Sequence, residues 1–144
     1  MRIVTSSFST VLPSTFARLS IARWAPAGDR NLPTVRGLSP GPWFKTVDVP
    51  TYRRLYMEQL GRLDPQRVVA EIEDLSAGKP AALLCWEKPT DRHFCHRGFV
   101  SAWLKDEIDL DVPKYGLEGE GVGHAHPKLP REFRSAAPAQ ARLL

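Results

Sequence analysis

The chain has 144 residues, 42% hydrophobic and 25% charged, a size and composition that suit one soluble domain around one core. Its 20 basic and 16 acidic side chains leave a net charge of +4, without the dense Lys/Arg run of a dedicated nucleic-acid binder. No apolar run approaches the roughly 18 residues needed to span a bilayer, and 2 cysteines do not make a disulfide scaffold, so no membrane association is expected and a reducing cytoplasm is the default location.

In chain order, Arg2–Ser6 is a short β-prone run, and Arg18–Trp24 is a second. Pro13-Ser14-Thr15 between them is turn chemistry. Residues 1–28 contain Arg2, Arg18 and Arg23 and no acid, as organellar transit peptides do. Pro13 interrupts any long amphipathic helix there, so the segment is expected to belong to the fold. Residues 25–50 carry Pro26, Gly28, Pro33, Gly37, Pro40, Gly41, Pro42 and Pro50, which precludes a regular helix.

From Tyr52 the pattern turns helical, with Leu55, Tyr56 and Leu60 on one face. Asp64-Pro65 restarts a helix, Asp as N-cap and Pro at the first helical position. Val68, Val69, Ile72 and Leu75 give that helix its apolar face, and Ser76-Ala77-Gly78 ends it, with Gly78 as a left-handed cap. Ala81–Cys85 is an unbroken apolar run, the signature of a strand buried on both faces. A polar loop follows, then a helix over Arg97–Leu104. A last strand over Ile108–Lys114 is expected, although Asp109, Asp111 and Pro113 dilute its signal. Strands alternating with helices predict an α/β fold, a single three-layer Rossmann-like domain with a mostly parallel sheet. The domain is expected over residues 1–134, with a flexible tail over 135–144.

Open parallel sheets bind ligands beyond the carboxyl ends of their strands. Three polar segments are expected to meet there: Thr5-Ser6-Ser7, Arg23-Trp24 and Cys85-Trp86-Glu87-Lys88. Cys85 alone reads most simply as a small buried hydrophobe. The second thiol with its neighbours, Cys95-His96-Arg97 at a helix N-terminus, tips the reading toward a site. Free N–H groups and a partial positive charge there favour anions and thiolates. Arg23 and Arg97 are expected to converge on one pocket able to hold a phosphate-sized anion. The thiols flank a loop containing Lys88-Pro89-Thr90-Asp91 and are expected within disulfide reach, Cα atoms about 4.4–6.8 Å apart.

Two sharper motifs fall short. Cys85 to Arg92 has one residue more than the Cys-x5-Arg phosphate loop of cysteine phosphatases and lacks its glycines. Cys85, His93, Cys95, His96 and the pair His124-x-His126 are metal-capable, but their spacing is not that of a structural zinc site. No metal is assigned, and no cofactor is specified.

Ile3–Phe8, Leu19–Pro26 and Ala82–Pro89, with Phe94-Cys95-His96-Arg97 and the helix after it, together resemble the domain-of-unknown-function 488 family of bacteria, archaea and phages. The similarity spans most of residues 1–105 and is most specific at Leu84–Lys88 and Cys95–Arg97. It implies a Rossmann-like α/β domain with polar residues at the strand ends, and no particular activity. Carried over by position, the candidate site residues are Ser6, Arg23, Cys85, Glu87, Cys95, His96 and Arg97.

Two functions of different class fit these residues. The first is a small enzyme on an anionic, nucleotide-like substrate. Cys85 or Cys95 would be its nucleophile, Glu87 or His96 its general acid/base, and Ser6, Arg23 and Arg97 its ligand contacts. The second is a non-catalytic module in which the cysteines are structural. Its partner would be a phosphate-bearing small molecule or nucleic acid.

Overall fold

The computed structural model describes residues 1–86 and 94–135. Three strands, β1 (Ile3–Ser7), β2 (Ala17–Ser20) and β3 (Ala81–Cys85), form one open sheet in the order β1-β3-β2. Both pairings are parallel, with Ser7 opposite Cys85 and Ser20 opposite Leu84. The helices are α1 (Val49–Gly61), α2 (Pro65–Ser76) and α3 (Arg97–Ile108). This is the expected α/β class with a parallel sheet.

Central β3 is buried along its whole length. Side chains alternate across a strand, so Ala81, Leu83 and Cys85 face one core and Ala82 and Leu84 the other. The first core holds Ile3, Leu19 and Ile21 with Tyr56, Leu60, Ile72, Phe99 and Leu104 from the three helices. The second is closed by loop residues Phe8, Leu12, Phe16, Leu32 and Tyr115. The outer layer on that side is therefore loop. Chain connectivity explains it. β1 reaches β2 past β3 through residues 8–16 only, fewer than the dozen or more that a helical crossover takes.

Helix starts follow local chemistry. Asp64 accepts from the N–H groups of Gln66 and Arg67 at the head of α2. The same device opens α1, where Asp48 accepts from Thr51 N–H at 2.9 Å, so α1 begins at Val49 rather than near Tyr52. α2 ends through two left-handed residues, Ala77 (φ 52°) as well as the expected Gly78 (φ 79°).

The strand expected over Ile108–Lys114 is replaced by something smaller. Ile108 closes α3, and Asp109 turns left-handed at φ 53° with its carboxylate 2.7 Å from Lys105 Nζ. A single parallel bridge, Thr5 to Lys114, remains against the β1 edge. Ser20 to Thr34 covers the β2 edge in the same way. The second strand is also shorter than Arg18–Trp24, ending at Ser20 with one further bond from Ile21 N–H to Leu84 C=O. Of the expected tail, all beyond Ser135 lies outside the described residues.

α3 is seated by a close backbone approach. A Cβ on Gly98 would stand 2.6 Å from Leu129 N and 2.8 Å from Lys128 C. Both atoms are backbone and cannot rotate away. Gly98→Ala is therefore expected to lower stability by about 1–3 kcal/mol, the range for overpacking a close-packed interior. A urea denaturation series would read this as a lowered midpoint, and an unchanged midpoint would contradict the packing.

Candidate functional site

Because the strands run parallel, Ser7, Ser20 and Cys85 all end on one edge of the sheet. The residues beyond that edge build the site. Cys85 closes β3 and faces the helical core. Cys95 and His96 lead into α3, where Cys95 N–H donates to Lys128 C=O at 3.1 Å. The two sulfurs are in bonding contact, with their Cα atoms 7.3 Å apart. That span exceeds the expected 4.4–6.8 Å of an ordinary bridge.

His96 is held from two sides. Its Nε2 lies 2.6 Å from the Ile21 carbonyl just beyond β2, and its ring meets Tyr56 edge-on at 5.5 Å between centroids. A carbonyl only accepts, so Nε2 carries the proton. Nδ1 keeps its lone pair, 3.7 Å from Cys95 Sγ. Burial pushes the imidazole down to about 4, the Ile21 bond opposes this, and the neighbouring Arg97 charge adds to it. The donor atoms of Cys85, Cys95 and His96 all lie within 4.8 Å of one another. That set can act as a nucleophile with an acceptor beside it, as a dithiol, or as soft ligands.

Arg97 fills the first turn of α3 and is fully buried. Its charge reaches both His96 and His126. Arg23, in contrast, is exposed, its guanidinium 5.8 Å from the Trp24 ring centre and bonded to Pro40 C=O at 3.4 Å. Ser6 pairs with Leu84 in register and so lies on the loop-covered face, opposite to Cys85. Glu87, with His93, lies outside the described residues.

Thr5 and His126 form a buried polar pair that sequence reasoning did not single out. Thr5 Oγ1 is 2.8 Å from His126 Nε2, and His126 Nδ1 accepts from Lys128 N–H at 3.0 Å. The motif His124-x-His126 therefore does not act as a pair, since His124 is exposed and bonded to Asp106 at 2.8 Å. Period-two alternation from Cys85 would have favoured Thr5 over Ser6, but its partner lies 121 residues away. Also beyond the strand ends is a cleft of about 340 Å³ lined by Phe8, Ser9, Pro26, Asp29 and Trp86. Trp86 and Trp24 stand exposed, joined by a 2.6 Å bond from the Trp86 indole to Trp24 C=O.

A family model described as DUF488-N3a, active DUF488-N3 subclade, matches residues 13–108. Among curated proteins and among solved structures nothing matches.

Both buried histidines are neutral when folded, His126 being pushed down to about 3 chiefly by burial and then by Arg97. The unfolded chain takes up protons near pH 6.5, so it gains on the folded one as pH falls. Stability is expected to be flat above about pH 6.5 and to decline toward pH 4 for His96 and pH 3 for His126, by roughly 3 kcal/mol for the first and roughly 5 kcal/mol for the second. Urea midpoints across that range check this. His126→Gln should flatten part of the acid limb, and an unaltered limb would show that His126 does not cause it.

Proposed function

The chain belongs to the DUF488 family, in a subclade described as active, and from that premise we propose that it is a small enzyme using its cysteine cluster on an anionic, nucleotide-like substrate. The observation carrying this reading is the convergence of Cys85, Cys95 and His96 within 4.8 Å beyond the ends of parallel strands.

Once the bond between the two sulfurs is reduced, Cys95 is the nucleophile in this reading. It stands just ahead of α3, where aligned peptide dipoles favour a thiolate. His96 Nδ1 is the acceptor facing that sulfur and Cys85 the second thiol, while Glu87 keeps its acid/base candidacy from sequence alone. Arg23 is the exposed cation that meets the substrate's negative charge, and Arg97 adds positive potential from inside the fold. The exposed indoles of Trp24 and Trp86 offer planar faces of the kind on which bases stack.

Alkylation of the reduced protein tests this. Cys95 is expected to react with iodoacetamide severalfold faster than a free cysteine at neutral pH, and Cys95→Ala to remove that fast phase. The anionic reagent iodoacetate should gain further, and lose its advantage in Arg23→Glu or at high salt. Slow labelling of both thiols until the protein is unfolded would remove the nucleophile. The chain would then be a binding module with structural cysteines.

A further inference from the structure

We propose that, with both thiols reduced, Cys85 Sγ, Cys95 Sγ and His96 Nδ1 bind a soft divalent metal ion of the zinc class. This goes beyond the nucleophilic reading, because an ion held by both thiolates withdraws them from substrate.

Three observations support the site. The first is the donor set. Two thiolates and one imidazole within 4.8 Å are the Cys2His combination that leaves a fourth position open on a tetrahedral ion. The second is spacing. Zinc bonds of about 2.3 Å to sulfur and about 2.0 Å to nitrogen set tetrahedral neighbours about 3.5–3.8 Å apart. Cys95 Sγ and His96 Nδ1 stand at 3.7 Å. The Cys85 and Cys95 sulfurs are bonded to each other in the structure and must part on reduction to admit an ion, for which the 7.3 Å between their Cα atoms leaves room.

The third is the support behind the histidine. Metal-bound imidazoles commonly donate their other N–H to a carbonyl or carboxylate, which fixes the tautomer and aims the lone pair. Ile21 C=O does this to His96 at 2.6 Å, with the Tyr56 ring against its side. The lone pair is thus aimed before any ion arrives. Charge is compatible as well, because two thiolates neutralise a divalent ion and leave no net charge to bury beside Arg97.

Cobalt(II) titrated alone into the reduced full chain tests the site by absorption. One equivalent is expected to raise sulfur-to-cobalt charge-transfer bands and the visible bands of a tetrahedral ion. Cys85→Ser and Cys95→Ser should each abolish or halve the charge-transfer intensity, and His96→Gln, which removes a ligand, should weaken binding by at least the roughly 10- to 100-fold that loss of a supporting partner alone costs. Zinc should bleach the cobalt spectrum and slow iodoacetamide labelling, with a chelator restoring the rate. Far-ultraviolet circular dichroism confirms that each variant is folded. Fast labelling of chelator-treated protein without cobalt bands would overturn the ion site and keep the nucleophile. Cobalt bands with slow labelling even after chelation would keep the ion site and remove the nucleophile. Bands that persist unchanged in both serine variants would place the ion elsewhere and overturn the proposal.

Discussion

Everything in this fold is arranged around the confinement of β3. The strand is hydrogen-bonded to a parallel neighbour on each side and buried on both faces. Parallel pairing requires each connection to return to the opposite edge before the next strand begins. Residues 8–16 make that return on one face as a short loop, while residues 21–80 make it on the other and carry two helices. The chain can leave β3 only at its carboxyl end, and there the residues after β1 and β2 also lie. The cluster of Cys85, Cys95 and His96 is a product of that shared exit.

Within the cluster, long-range backbone contacts do more than side-chain pairing. His96 is oriented by the Ile21 carbonyl, 75 residues earlier, and Cys95 by the Lys128 carbonyl, far later in the chain. Both contacts involve main-chain carbonyls, which no substitution of Ile21 or Lys128 removes directly. The imidazole is therefore held in one tautomer by a group that cannot titrate. Arg97 and the buried Thr5–His126 pair lie deeper on the same side and set the local potential rather than lining an open surface.

What was legible in the sequence follows from how local its cause is. The unbroken run Ala81–Cys85 announced a strand buried on both faces, and Asp64-Pro65 announced a helix start, because each depends on neighbours in sequence. Asp48-Val49-Pro50 carries nearly the same signal, but it closes a Pro/Gly-rich stretch that drew attention to turns. The strand expected at Ile108–Lys114 shrank to one bridge because Asp109 and Pro113 break its pattern. In the site, Cys85, Cys95 and His96 were legible as residue types crowding one loop and one helix start. Alternation places Thr5, not the sequence candidate Ser6, on the side of Cys85. Locally His126 is half of a His-x-His motif, and nothing near it in sequence points to Thr5. Their partners are set by topology, which periodicity does not encode.

The seat of α3 against Lys128 and Leu129 has a consequence for the order in which the molecule is made. The family match ends at residue 108, yet Gly98 packs on the backbone of residues 128–129, and Thr5 is bonded to His126. Synthesis runs from the N-terminus, so the sheet and α3 emerge before the segment that locks them. Until those residues follow, Cys95 N–H lacks the carbonyl that receives it in the finished fold, and Gly98 lacks the backbone on which it packs. Arrival of residues 126–129, rather than formation of the sheet, is the step that completes the surroundings of this centre.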